Sequence, residues 1–318
     1  MLNPVEPLLF ISSFRSIEMK RFFIKISIFV LFLLLIAMGI EFVVRSVPNP
    51  YKYKLSLIEK QKEDVQLLVL GSSHAYNGIN PIFFDKKTLN MALGGQGITI
   101  DAFLVKRYLH QMPNLEAIIL PIDYQTLFMS DAFGFPDGLM HYRVYYKFEP
   151  NWFSLDNYEF FHGKSVRVKL ERMLHGNKTQ FADSLGFGGE VFISILGAEE
   201  AVKNLTVEDF SNNRVDKNIK ALHQIAELSE KANVKLVIVS IPAHKSFCDL
   251  ASQKQWLFIH SVIDGVIKQY SNSLYLNYYS TVFPDTCYLN ATHLNIYGAE
   301  LFSTMLSHDL DSIGIFQH

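Results

Sequence analysis

The chain has 318 residues and a formal net charge of −2, room for one large domain or two small ones around a substantial core. No basic stripe accompanies this near-neutral balance, which excludes the electrostatic footprint of a nucleic-acid binder. The 2 cysteines, Cys248 and Cys287, are too few and too far apart for a zinc cluster.

Residues 26–44 read ISIFVLFLLLIAMGIEFVV. As a helix this run extends about 28 Å, close to the ~30 Å hydrocarbon core of a bilayer. Glu41 is its one charge and lies near one end. Lys20, Arg21 and Lys25 precede the run, with Arg15 further back; Arg45, Lys52 and Lys54 follow it. That balance favours a single span with a cytoplasmic N-terminus (residues 1–25) and an extracytoplasmic C-terminal domain. A cleaved signal peptide is the alternative, with Ala37-Met38-Gly39 as a small-x-small site. The apolar run continues past that site, which favours a retained anchor in the lipid bilayer. Residues 1–18 do not resemble a targeting sequence, and Met19 is the expected start.

Pro48, Asn49 and Pro50 end the span and open a linker over 45–64, within which LSLIEKQKED reads as a short polar helix. Leu67–Leu70 is an apolar run of strand length, the pattern of a strand buried on both faces. Leu89–Leu93 is a second such run, ending in Gly94-Gly95-Gln96-Gly97. Residues 98–112 have helical periodicity, and 115–120 form a third buried strand closed by Pro121. From about 125 to 210 the pattern weakens into aromatic and glycine-rich pieces such as Tyr142-Arg143-Val144-Tyr145-Tyr146, Trp152-Phe153 and Gly186-Phe187-Gly188-Gly189. This stretch reads as an insertion that caps or flanks a site, its aromatics suited to stacking on sugars. Regular order returns with a helix through Val215–Leu228, a strand at 234–241, a helix at 256–267, a short strand at 274–277 and a C-terminal helix at 297–310. Strands alternating with helices predict an α/β domain over 65–318, a mostly parallel sheet with helices on both faces.

In such sheets ligands gather at the carboxyl ends of strands. Ser73 follows the first strand, and His293 precedes the last helix. A serine hydroxyl needs a base and an oxyanion pocket to act as a nucleophile. His293 is the candidate base, and backbone N–H groups of Ser73 and of Gly94 or Gly95 are candidate oxyanion donors. The bland readings are a helix-capping serine, a core histidine and a plain glycine turn. Asp123, at the third strand's end, is either catalytic or a loop cap. His74 adjoins Ser73, where neighbouring side chains diverge, so it takes no base role.

Gly71-Ser72-Ser73 resembles the first block of SGNH (GDSL-type) hydrolases, with Ser72 where those enzymes usually carry Asp. Asn90-x-Ala92-x-Gly94-Gly95-Gln96 resembles their glycine-bearing second block, and His293 with Leu294-Asn295 their last. The likeness spans about 65–125 and 205–312. In style it is nearest to bacterial membrane-anchored members such as the D-alanine transfer protein of teichoic acid modification and the alginate acetylation proteins. It implies an SGNH/flavodoxin-like three-layer fold and an esterase or O-acyltransferase acting through an acyl-enzyme on acetyl or similar esters of cell-envelope glycans. It implies no organic cofactor and no metal. Its partners would be an acylated glycan or acyl donor and a membrane-bound acyltransferase.

The chain departs from the family pattern twice. Three residues before His293 stands Asn290 where the family has Asp; in serine proteases, the worked example of this change, it lowers kcat by ~10⁴. Asp285 is a candidate substitute, and a bare Ser–His dyad a further one. The third block has no match, which leaves Gln125, Asn77 or Gln96 to supply a side-chain donor. A catalytically degenerate glycan-binding or scaffold protein is the competing reading. Outside the cytoplasm Cys248 and Cys287 either pair and brace the His293 loop or stay as free thiols.

Overall fold

A computed structural model describes residues 6–132, 138–149, 154–175, 181–191 and 197–316. In chain order its helices and strands are α1 (Glu6–Ser46), α2 (Pro50–Gln61), β1 (Leu67–Val69), α3 (Ser73–Gly78), β2 (Thr88–Asn90), α4 (Ile98–Tyr108), β3 (Ala117–Pro121), α5 (Gly138–His141), α6 (Gly163–His175) and α7 (Ala198–Leu205). There follow α8 (Asn213–Lys231), β4 (Lys235–Ser240), α9 (Lys245–Leu250), α10 (Gln253–Gln269), β5 (Ser273–Asn277), β6 (Tyr288–Asn290), β7 (His293–Leu294) and α11 (Ile296–Ser312). The chain divides into two compact units, one of residues 1–48 with 153–177, the other of 49–152 with 178–318.

The larger unit is an α/β domain. Its five strands lie in the order β2-β1-β3-β4-β5, and each neighbouring pair is parallel. A parallel sheet covered on both faces needs strands that are apolar throughout, which is why these read as continuous runs. Alternation then divides their side chains between two cores. Leu67 and Val69, Ala117 and Ile119, Val237 and Val239 join Ala75 and Ile79 of α3 and Phe302, Leu306 and Leu310 of α11. Leu68, Ile118, Leu120, Leu236 and Ile238 face the other way, toward Leu104 of α4, Leu222 and Ile225 of α8 and Ile259 and Ile263 of α10.

Gly71 ends the first apolar run. Its φ of +111° lies where side chains are disfavoured. An added Cβ would also sit 3.2 Å from Cδ of Pro121, so the ends of β1 and β3 converge on this glycine.

From Asn49 on, the segment expected as a linker over 45–64 is part of the α/β domain. Asn49 caps α2 by accepting from the Lys52 N–H at 2.9 Å, and Pro50 occupies the first turn. The helix then buries Tyr51, Lys54, Leu57 and Ile58. The stretch expected as an insertion also divides. Tyr142 and Tyr146 are core residues at 2 % and 1 % exposure, which withdraws them from any sugar-stacking role. Trp152 and Phe153 lie outside the described residues. Residues 181–191 run along the outer strand, where the Asn90 N–H donates to the Leu185 carbonyl at 2.9 Å, covering part of an open sheet edge.

The smaller unit pairs α1 with residues 154–175. Glu18–Ser46 is long and apolar enough to cross a membrane. The helix extends beyond 26–44 at both ends because the flanking residues, Lys20, Arg21 and Arg45 among them, are good helix formers. Glu41 is satisfied within the protein. Its carboxylate accepts from the backbone N–H groups of Glu159 at 3.1 Å and Phe160 at 2.8 Å and from Nε of Arg45 at 2.5 Å. Arg45 also donates to the Asn157 carbonyl at 2.9 Å. Lys169 and Glu159 form a buried ion pair beside them.

Candidate active site

Ser73 begins α3, directly after the turn at the carboxyl end of β1. Three bonds of the Asn90 side chain hold that helix over the end of β2. Its Nδ2 donates to the carbonyls of Ala75 and Ile79, both at 2.9 Å, and its Oδ1 accepts from the Ala92 N–H at 2.9 Å. From beneath, Asp101 of α4 accepts from the Gly71 N–H at 3.0 Å and from Nε2 of Gln96 at 2.6 Å, while Gln96 accepts from the Tyr142 hydroxyl at 2.5 Å. Burial raises the Asp101 carboxyl to about 7, against the two hydrogen bonds that favour its charged form.

His293 arrives from the far end of the chain on β7, paired antiparallel with β6. Asn295 caps the following helix α11 through the N–H groups of Tyr297 at 3.0 Å and Gly298 at 3.1 Å. The fold thus brings together two side chains 220 residues apart in sequence, with Ser73 Oγ and His293 Nε2 separated by 2.7 Å.

The other ring nitrogen shows which way the proton goes. Asn290 Oδ1 accepts from the backbone N–H groups of Thr292 at 2.9 Å and His293 at 3.0 Å, so this atom is the oxygen of the amide. The same oxygen lies 3.0 Å from His293 Nδ1. Thr292 Oγ1 lies 2.9 Å from that nitrogen and donates to Asn290 Oδ1 at 3.1 Å. An acceptor fixed at Nδ1 selects the tautomer with its proton there, leaving the Nε2 lone pair facing the Ser73 hydroxyl. Burial holds His293 well below the ordinary imidazole range, and His74 lowers it further.

His74 was read from sequence as uninvolved, yet it stands against His293. The two rings meet edge to face with centroids 4.3 Å apart. His74 Nδ1 is 2.9 Å from Oδ2 of Asp123, and Asp123 Oδ1 accepts from the Ile241 N–H at 2.9 Å. Both side chains are buried, and His74 Nε2 has no hydrogen-bond partner among the described residues. The site therefore holds two imidazoles, one oriented by a neutral amide and one by a carboxylate. The adjacency of Ser73 and His74 was the available signal. At a helix start, neighbouring side chains can bracket a third group that comes from elsewhere in the chain.

The remaining sequence candidates separate. The Gly94 and Gly95 N–H groups donate to no acceptor among the described residues, and neither does the Ser73 N–H. The Leu93 N–H donates to the Gly71 carbonyl at 3.3 Å, which seats this turn beside the nucleophile loop. Gln96 is buried and committed to Asp101 and Tyr142, so it is not an oxyanion donor. Asn77 is buried, and its Oδ1 has no partner among the described residues. Gln125 lines a small void with His74, Asp123 and Thr292. Asp285 does not orient His293; it is exposed and its partner is His244, at 3.1 Å. Cys248 and Cys287 are both free thiols, so no disulfide braces the loop.

No family model matches the chain, and no curated protein matches it. Among solved structures, the chain is similar to a GDSL-like lipase from Bacteroides thetaiotaomicron, with TM-score 0.41, 9% identity, and coverage of 83% of this chain and 98% of that one. It is also similar to a catalytic mutant of an acetylxylan esterase from Geobacillus stearothermophilus, with TM-score 0.38, 9% identity, and coverage of 80% and 95%.

Proposed function

We propose that this chain is a serine esterase or O-acyltransferase that works through an acyl-enzyme on Ser73. The observation that carries the reading is the 2.7 Å approach of Ser73 Oγ to His293 Nε2, with the opposite ring nitrogen held by a fixed oxygen. Ser73 Oγ attacks the ester carbonyl carbon while its proton passes to His293 Nε2. The backbone N–H groups of Ser73 and Gly94 or Gly95 receive the oxyanion. Collapse breaks the ester C–O bond, and His293 returns the proton to the leaving alkoxide. Water or a second hydroxyl then attacks the acyl-enzyme by the same route in reverse. Asn290 keeps His293 in the productive tautomer without adding charge.

The finer reading follows from the likeness to membrane-anchored SGNH proteins and from the apolar helix. Small acyl groups, acetyl foremost, would be carried on cell-envelope glycans, with the domain on the extracytoplasmic side of a single span. A retained anchor is supported by the apolar run itself, which continues past Ala37-Met38-Gly39 to Val44.

The test is labelling by a fluorophosphonate probe and turnover of p-nitrophenyl acetate by the full-length chain in detergent. Both activities should be lost in Ser73→Ala and retained in Ser72→Ala. Labelling that persists in Ser73→Ala would sink the assignment.

A further inference from the structure

We propose that residues 154–175 are a membrane-seated foot, and that acyl chains of bilayer lipids fill the groove between this foot and α1. The inference rests on reading α1 as a retained membrane span and not on the chemistry at Ser73.

The groove has a volume of about 620 Å³. Leu34, Ala37 and Met38 of α1 form one wall, and Tyr158, Phe160 and Phe161 stand opposite. Leu34 lies about 10 Å along the helix axis from Glu41, at 1.5 Å per residue. Its wall therefore belongs to the apolar run that a bilayer would surround, and the lipid around that run continues into the groove. Glu41 and Arg45 mark the polar end, where an interface begins. The hydrogen bonds from Glu41 and Arg45 to residues 157, 159 and 160 are made at that end.

The surface of the foot fits the same occupant. Phe161 is 54% exposed and Leu174 82% exposed, with Leu155, Leu170 and Met173 also open. Apolar side chains concentrated this way are what an aqueous surface disfavours and an interfacial element requires. Apart from Lys169, which is buried against Glu159, the sequence of α6 carries Lys164, Arg167 and Arg172 against one acid, Glu171. A net-positive amphipathic helix complements the anionic headgroups that border the acyl region. Tyr158 and Phe161 add the aromatic residues favoured at that depth.

Depth-dependent quenching tests the proposal on the full-length chain in phosphatidylethanolamine–phosphatidylglycerol vesicles with brominated acyl chains. Single tryptophans are added as Leu34→Trp, Phe161→Trp and Leu155→Trp, and the parent chain sets the background from Trp152 and Trp256. The expected result is loss of added emission at all three positions. Quenching at position 34 with none at 155 and 161 overturns the foot while leaving the span. No quenching at position 34 overturns the span and the foot with it. Neither result alters labelling at Ser73, which separates this proposal from the catalytic one.

Discussion

Asn290 presents an oxygen to His293 because two backbone N–H groups already hold that oxygen in place. The usual penalty of an Asn in this position comes largely from presenting NH₂ and selecting the wrong tautomer, and here that route is closed. What is missing is charge to stabilise the imidazolium. Asn290→Asp is expected to raise kcat for p-nitrophenyl acetate by about ten-fold or more, about 1.4 kcal/mol of transition-state stabilisation, and to move the acid limb of the pH profile upward. The limb of the parent chain should lie well below pH 6.5, because burial and His74 both disfavour protonated His293. Beyond Asp123, the void beside His74 adds only Tyr124 and Tyr279 as titratable neighbours. His74→Gln removes an imidazole whose charge opposes that of His293, so the limb should shift to higher pH; an unmoved limb would show that the rings are not coupled. A lowered folded-state value also means that the folded chain binds fewer protons than the unfolded one below pH 6.5. Stability contributed at His293 is therefore lost as pH falls. Ser73 and His293 were legible in sequence because each adjoins a recognisable element end. The His74–Asp123 pair was not, since 49 residues and a β-α-β crossover separate its members.

At the scale of elements, two buried ionisable groups, Lys54 and Asp101, brace the strand ends and loops around Ser73. Lys54 of α2 is fully buried, and its Nζ donates to the carbonyls of Asn90 at 2.6 Å and Gly186 at 2.5 Å. Burial pulls its ammonium well below the usual lysine range. Gly186 has φ +90°, and a Cβ there would lie 2.0 Å from the Asn90 oxygen, so this loop tolerates no side chain. Lys54→Met should destabilise the domain by about 1–3 kcal/mol for each carbonyl left without a donor, read as a fall in melting temperature. Asp101 has the opposite sign to an ordinary carboxylate. Its folded value of about 7 lies above the unfolded 3.8, so stability falls as pH rises through that window. Asp101→Asn keeps an oxygen for Gly71 and Gln96 and should flatten the dependence, as melts at pH 4 and pH 8 would reveal. The five sheet strands were visible as apolar runs because burial on both faces demands them. The role of α2 was hidden because Lys54 and Lys52 make its sequence look solvated, when one of those charges is the buried pin.

The chain carries an apolar helix with residues 154–175 packed on it, and an α/β domain whose candidate site is assembled from residues 220 apart. Glu41→Leu would leave the N–H groups of Glu159 and Phe160 without their acceptor. Limited proteolysis should then cut within residues 154–161 faster than in the parent, with Ser73 labelling unchanged. Free cysteines predict that dithiothreitol leaves the melting temperature where it was. The order of parts, a long apolar helix and then a parallel α/β fold, follows from hydropathy and periodicity, whereas the packing of 154–175 on α1 depends on contacts more than 110 residues apart. That same remoteness governs when the chain becomes reactive. During synthesis Ser73 is made 220 residues ahead of His293, with Asn290 only three positions before that histidine. A growing chain that has not yet reached His293 thus carries a serine without its imidazole neighbour, and contacts of such long range form slowly. In a pulse–chase experiment, probe labelling should first appear once β7 and α11 have been made and have packed, so that synthesis itself acts as the safety catch on the serine.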